Sequence, residues 1–204
     1  MSGTVPALEC RDVAVQYGEV AALSGVSAAF APRLIHAVVG QNGAGKTTFI
    51  NICTGYLKAD AGRVTFDGHD VTGESPRAIT RRGVGRSFQL PQVFTEHTVR
   101  QCLLLASSAV QARRGWWRPL EQAVDAAAVD ATLELLQLGP RAHDLAGSLP
   151  EGQRKLLDVA MALVLEPKLL IMDEPTSGVS TDEKHALMEV LMKALDERRV
   201  TSIF

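Results

Sequence analysis

The feature that most constrains this chain is the stretch Gly40-Gln-Asn-Gly-Ala-Gly-Lys-Thr47, which matches the pattern G-x-x-x-x-G-K-[ST]. The apolar run 34–39 before it predicts a buried strand, and the run 47–57 after it predicts a helix. In that context, glycines let backbone N–H groups point at phosphates, and the helix N-terminus adds positive potential. Lys46 is expected to reach the β- and γ-phosphates of a nucleotide, and the Thr47 hydroxyl is expected to ligate Mg²⁺. The residues predicted to contact the nucleotide here are Gly40, Gln41, Asn42, Gly43, Ala44, Gly45, Lys46, Thr47 and Thr48.

A second feature is a short apolar run, residues 169–172, that ends in the acidic pair Asp173 and Glu174. A buried strand would place Asp173 at the carboxyl end of a sheet, beside the phosphate loop, where an acid can hold Mg²⁺ directly or through water. Glu174 can then polarise an attacking water as a general base. The alternative is an acidic pair that only stabilises a helix N-terminus. The chain contains no Asn-Lys-x-Asp segment, so guanine is not the expected base.

Strand and helix patterns alternate along the rest of the chain. Apolar residues at every second position predict a strand at 13–17, and a strand at 64–66 is followed by the turn Asp67-Gly68. Ser75 and Pro76 are typical of a helix start. The remaining predictions are strands at 84–88 and 200–204, and helical segments at 98–138, 152–165 and 182–197. The alternation indicates an α/β fold with a parallel core sheet. The stretch from about 90 to 150 shows no strand pattern and is predicted to be an inserted helical subdomain of one domain, 1–204.

Composition and charge exclude several classes of protein. The net charge is −2, whereas a nucleic-acid-binding chain is usually basic, so no nucleic acid is expected as a partner. No apolar run reaches the ~18 residues that span a bilayer, and the N-terminus lacks a signal-peptide pattern. The three cysteines are scattered and form no metal-binding pair, so they are interpreted as reduced thiols in the core.

Taken together, these motifs resemble the ATP-binding subunits of ABC transporters, from about Leu8 to the last residue. In that resemblance Tyr17 matches an aromatic residue that stacks on adenine, although the tyrosine could also lie in the core. Gln89 resembles the Q-loop glutamine, which touches Mg²⁺ or the attacking water and senses the transmembrane partner; the alternative is a solvated surface glutamine. The signature motif Leu-Ser-Gly-Gly-Gln, which caps the ATP of the opposite subunit, is matched by Leu149, Pro150, Glu151, Gly152 and Gln153.

The resemblance implies an α/β P-loop NTPase fold with a small N-terminal antiparallel β part. It also implies the cofactors ATP and Mg²⁺, a second ATP-binding subunit in a homo- or heterodimer, and transmembrane permease subunits. The expected location is cytoplasmic, peripheral on the inner face of the cell membrane. The segments 149–158 and 174–180 look like those of importers of the branched-chain amino acid and urea group. The helical stretch contains Arg113-Arg-Gly-Trp-Trp117, for which an amphipathic surface segment is the alternative.

The sequence also departs from the family pattern. Pro150 replaces the signature serine, and Ser177-Gly-Val-Ser180 lacks the aspartate of the usual D-loop. The family's switch histidine follows the strand that begins here at Val200, and the chain ends at Phe204. We therefore expect a truncated product, a fragment or a degenerate subunit, with slow hydrolysis and reduced stability. The rival functions are a non-hydrolysing ATP-binding module and a soluble ABC ATPase that acts on nucleic acid or ribosomes.

Overall fold

The computed structural model describes residues 5–111 and 124–204. The chain forms two compact units. The first contains Met1–Val84, Lys168–Asp173 and Arg199–Phe204, and the second contains Gly85–Pro167 and Glu174–Arg198. The predicted organisation, one domain with a helical insertion, stays a prediction.

An antiparallel sheet forms much of the first unit. Its strands are β1 (Leu8–Tyr17), β2 (Val20–Phe30), β4 (Ala61–Phe66) and β5 (His69–Asp70), in the order β2-β1-β4-β5. A two-residue turn joins β1 to β2, and Leu8 pairs with Phe30 at the far end of the hairpin. The turn 67–68 joins β4 to β5. The predicted antiparallel part, its two strands and that turn are therefore confirmed.

The parallel part of the fold is built around β8 (Thr201–Ile203). Both β3 (Ile35–His36) and β7 (Leu169–Met172) pair with it in parallel. The strand order of this second sheet is β3-β8-β7-β6. Its last strand, β6, spans Val84–Ser87, and Val84 is also the last residue of the first unit's segment Met1–Val84. The parallel core sheet predicted from the sequence is confirmed.

The predicted buried strand at 34–39 is wrong in length and in burial. Only two residues form β3, and Leu34 and Val39 are 55% and 88% exposed. β3 lies at the edge of its sheet, so a neighbouring strand covers it on one side only. Pairing continues irregularly beyond the strand, since the Val38 N–H donates to the Phe204 carbonyl at 2.6 Å.

The described residues of the first unit form two helices. The first, α1 (Lys46–Cys53), buries apolar side chains such as Phe49 and Ile50 against the core of this unit. It ends earlier than the predicted residue 57, because Gly55 adopts a positive φ of 76°. The second, α2 (Pro76–Arg81), starts as predicted: the Ser75 hydroxyl accepts a hydrogen bond from the Ala78 N–H at 3.4 Å.

The second unit is mainly helical. Among its described residues the α-helices are α3 (Val99–Gln111), α4 (Ala126–Leu135), α5 (Glu151–Leu163) and α6 (Thr181–Glu197). α3 packs against α4 and α5, and α5 packs against α6. The fully buried side chains of this unit include Leu103, Leu136, Leu138, Leu157, Leu191 and Leu195.

The described residues test several expectations from the sequence about burial and about membrane crossing. On α4 the buried face runs through Val129, Thr132 and Leu133. The predicted segment 113–117 lies outside the described residues. In the described part of the chain, no helix combines the length and apolarity that a membrane crossing requires. All three cysteines are buried, as expected for core residues.

Candidate functional site

The phosphate-loop motif lies between β3 and α1 in the first unit. Gly45 is the N-cap of α1 with φ 87°, a conformation that favours glycine. A Cβ at this position would lie 2.7 Å from the Ala22 carbonyl oxygen. The backbone at Gly45 therefore lies so close to β2 that only glycine fits at this position.

The N-terminus of α1 is open to an anion. The Phe49 N–H donates to the Gly45 carbonyl at 2.8 Å, so the amides of Lys46, Thr47 and Thr48 precede the first intrahelical bond. No described side chain caps this end, and its first turn contains no acid. Uncapped amides and the helix dipole together favour a bound phosphate.

Lys46 and Thr47 sit at the start of this helix. The Lys46 ammonium donates to the carbonyls of Gly40 and Gln41 at 2.7 and 3.1 Å, which folds the side chain back over the loop. The charge therefore lies above the same segment whose amides are available. Thr47 is exposed. The loop residues 41–44 are also exposed, so most of the motif is accessible to a nucleotide.

Asp173 lies at the same edge of the sheet as the loop. Because β3 and β7 both run parallel to β8, their carboxyl ends meet at one edge, two strand spacings or about 10 Å apart. Asp173 follows β7 directly and is 4% exposed. This agrees with the placement expected from the sequence, while its role as a metal ligand stays a prediction.

Tyr17 ends β1 and is 54% exposed. The alternative that this tyrosine is a core residue is therefore wrong. An exposed ring on the first unit is available for stacking on a base, which stays a prediction.

The two predicted catalytic residues lie together in the second unit. The Gln89 side-chain amide donates to the Glu174 carboxylate, with Nε2 3.2 Å from Oε2. Gln89 is exposed, yet this bond distinguishes it from a merely solvated surface residue. Glu174 has a positive φ of 48°, unusual for a residue with a side chain. Backbone strain of this kind is common at functional sites, and the sequence contained no signal for it.

Lys155 on α5 is a buried cation next to this pair. Its ammonium donates to the Gln89 carbonyl at 2.8 Å and to the Ser177 hydroxyl at 3.3 Å. Burial lowers the pKa of Lys155, and the negative charges of Glu151, Asp158 and Glu174 oppose that change. No motif in the sequence points to this residue.

Asp158, one turn further along α5, is also buried. Its carboxylate accepts hydrogen bonds from the Ser87 hydroxyl at 2.7 Å, the Phe88 N–H at 2.9 Å and the Gln92 N–H at 3.0 Å. Burial raises the pKa of Asp158, while these donors and Lys155 lower it. Since all three partners donate, the geometry fits the ionised carboxylate.

The segment that resembles the signature motif opens α5. Pro150 is the N-cap and offers no side-chain bond, and Leu149 is buried. The Glu151 carboxylate accepts from Arg154 at 2.6 Å within the helix. Gly152 faces Val179, since a Cβ there would lie 3.7 Å from that side chain. The Gln153 Oε1 atom is buried without a partner among the described residues. Whether this segment contacts a nucleotide stays a prediction.

The residues present fit ATP and Mg²⁺ in different degrees. The open amides of α1 and the lysine in the loop suit a polyphosphate. Among the described residues no group of three or more His, Cys, Asp or Glu side chains could hold a metal on its own. Mg²⁺ held with a nucleotide needs only one or two protein oxygens in addition to phosphates, and Thr47 and Asp173 provide such oxygens.

A glycine loop of this geometry between a parallel strand and a helix defines the class of the chain, the α/β P-loop NTPases. A family model described as ABC transporter matches residues 23–177, and the chain belongs to that family.

Known relatives agree with this assignment. The chain is 37% identical to a probable branched-chain amino acid transport ATP-binding protein, LivG, from Archaeoglobus fulgidus, over 89% of this chain and 72% of the relative. It is 35% identical to the corresponding protein of Methanocaldococcus jannaschii, over 95% of this chain and 77% of the relative. A solved ATP-binding cassette of an ABC transporter superimposes with a TM-score of 0.83 at 32% identity, covering 98% of this chain and 81% of that structure.

Proposed function

We propose that this chain is the ATP-binding and ATP-hydrolysing subunit of an importer for branched-chain amino acids. The observation that supports this proposal most directly is the phosphate loop. At Gly45 the loop has room only for glycine, the N-terminus of α1 has no side-chain cap, and the Lys46 side chain folds over the loop. Similarity to LivG proteins along nearly the whole chain supports the choice of cargo. Urea, the other cargo of the importer group that the sequence resembles, is the alternative.

In this function the first unit binds the nucleotide. The amides at the start of α1 donate to phosphate oxygens, and the Lys46 ammonium exchanges its loop carbonyls for the terminal phosphates. Tyr17 stacks on the adenine ring. Thr47 and Asp173 hold Mg²⁺, which when bound neutralises charge that develops on the transferred phosphoryl group.

Glu174 and Gln89 are the residues proposed to activate the attacking water. Gln89 occupies Oε2 of Glu174, so the other carboxylate oxygen, Oε1, takes the proton from the attacking water. The Gln89 side-chain amide orients the Glu174 carboxylate. It also senses the permease subunits to which the chain binds. A second ATP-binding subunit supplies the signature segment that caps the bound ATP. The chain is held at the membrane by its binding to the permease subunits.

Nucleotide binding is tested by calorimetry with Mg-ATP on the parent and on Lys46→Ala. A hydrogen bond from a charged donor contributes about 1.5–3 kcal/mol, so affinity should fall about 10- to 150-fold. Lys58→Ala is the matched control, because Lys58 is exposed and lies outside the loop in the same unit. Equal affinities for the parent and Lys46→Ala would show that the loop does not bind phosphate.

Transport is tested in proteoliposomes that contain the chain with its cognate permease subunits. ATP-dependent uptake of leucine is expected, and uptake should stop with Glu174→Gln. Uptake of urea without leucine would replace the proposed cargo and leave the ATPase function standing. Uptake of neither substrate, with intact ATP hydrolysis, would contradict the importer function.

A further inference from the structure

Two charged side chains on α5 bind the segment 87–92, which contains Gln89. Lys155 and Asp158 are three residues apart on the helix, so they lie on one face. They are 4% and 6% exposed. We call these two side chains, with the loop backbone that they bind, the α5 clamp. Neither residue has a role in the function described above.

Asp158 fixes the loop on both sides of Gln89. Its Oδ2 accepts from the Ser87 hydroxyl and the Phe88 N–H, and its Oδ1 accepts from the Gln92 N–H. The backbone is therefore held at the residue before Gln89 and three residues after it. These are charge-assisted bonds in a buried place, which are stronger than neutral ones in water.

Lys155 binds the two chain segments that carry the interacting pair. Its ammonium donates to the Gln89 carbonyl and to the Ser177 hydroxyl. The Ser177 N–H in turn donates to the Glu174 carbonyl at 3.0 Å, which closes the turn after that residue. One cation thus ties the backbone of Gln89 to the turn that begins at Glu174.

We propose that Lys155 and Asp158 are positioning residues for ATP hydrolysis, which hold the 87–92 backbone so that the Gln89 amide meets the Glu174 carboxylate. This proposal rests on the proposed function, in which Glu174 is the general base. The Gln89 side chain is exposed, so the position of its backbone decides whether its amide reaches Oε2. Small misplacements of such groups can lower a rate by about 10²-fold.

Asp158→Asn and Lys155→Met test the α5 clamp in the full chain. Asparagine keeps the shape but replaces one acceptor oxygen with a donor that faces other donors. Methionine keeps the buried stem and removes the ammonium. Each should lower kcat about 10- to 100-fold, with Mg-ATP affinity within about twofold of the parent. Asp196→Asn and Lys193→Met, the same changes at exposed positions of α6, should leave kcat unchanged.

A double-mutant cycle with Gln89→Ala separates positioning from a general loss of folding. If the two residues act through Gln89, Lys155→Met should change kcat less than about twofold once Gln89→Ala is present. Full, multiplicative effects in that background would overturn the proposal. Hydrogen exchange gives a second reading, since at least one of the Phe88 and Gln92 amides, which bond to different carboxylate oxygens, should lose protection in Asp158→Asn. Unchanged protection would show that the α5 clamp does not exist.

The parent and Glu174→Gln are assayed alongside. If both hydrolyse ATP at the same rate, the proposed function fails, and the positioning role fails with it. Hydrogen exchange would still report whether Asp158 holds the loop. If hydrolysis depends on Glu174 but the cycle is additive, only the positioning role is overturned.

Discussion

Replacing Gly45 with alanine is expected to destabilise the first unit more than replacing Gly43, although both glycines have a positive φ. For Gly43→Ala nothing lies within 4 Å of the added Cβ. The expected loss of folding stability therefore comes only from the left-handed backbone conformation, which costs a residue with a Cβ about 1–2 kcal/mol. For Gly45→Ala the Cβ would lie 2.7 Å from the Ala22 carbonyl oxygen and 2.8 Å from the Leu23 side chain. Overpacking of this kind adds about 1–3 kcal/mol, for a total of about 2–5 kcal/mol.

Thermal unfolding by calorimetry without nucleotide measures this difference. For a chain of this size about 1 kcal/mol corresponds to roughly 2–4 °C in Tm. The expected decrease is therefore about 2–8 °C for Gly43→Ala and about 4–20 °C for Gly45→Ala. Equal decreases in Tm would refute the argument that contact with β2 makes glycine necessary at the start of α1. A larger decrease for Gly43→Ala would refute it as well.

Three further predictions concern the nucleotide and one surface ion pair. Glu174→Gln should bind Mg-ATP as the parent does but hydrolyse it about 10²- to 10⁴-fold more slowly, and a steady-state ATPase assay at the parent's rate would place the base elsewhere. Tyr17→Ala should weaken ATP binding by about 1–3 kcal/mol in calorimetry and leave inorganic triphosphate binding unchanged; equal losses for both would contradict stacking. A hydrogen bond from Lys168 lowers the pKa of Asp67. The pair therefore stabilises the fold at pH values above the ordinary aspartate pKa, and this stabilisation is lost as the pH falls through the lowered pKa. Lys168→Met should therefore lower stability at pH 7 by less than about 1 kcal/mol, and its difference in Tm from the parent should vanish in acid; a difference that persists there would exclude the ion pair as its cause.

Local features of the fold could be predicted from the sequence because their causes are local. The turn at Asp67-Gly68 and the cap at Ser75 depend on the residues themselves and their immediate neighbours. The strand β7 is a continuous apolar run that is buried on both faces. Each of these signals is complete within four to six residues, which is why the prediction and the structure agree there.

Other elements depend on distant partners and left no trace in the sequence. The strand β2 is rich in alanine, serine and glycine, which are weak strand formers, and it is extended because β1 pairs with it along its length. The shortening of β3 follows from its place at the sheet edge. In the site, motifs identified Gln89 and Glu174 singly. The α5 clamp was missed, because hydrogen bonds between residues about 70 positions apart produce no periodic pattern.

The burial of every cysteine has a practical consequence for following this protein at work. The Cys10 and Cys53 sulfurs lie 3.6 Å apart in the core, and Cys102 is covered as well. The pKa values of the Cys53 and Cys102 thiols are raised, with the Cys10 thiol as the largest cause for Cys53 and burial for Cys102. Maleimide reagents need an accessible thiolate, so the native thiols should react slowly. A single cysteine introduced on the surface could then receive a fluorophore or spin label selectively, without first removing the natural ones.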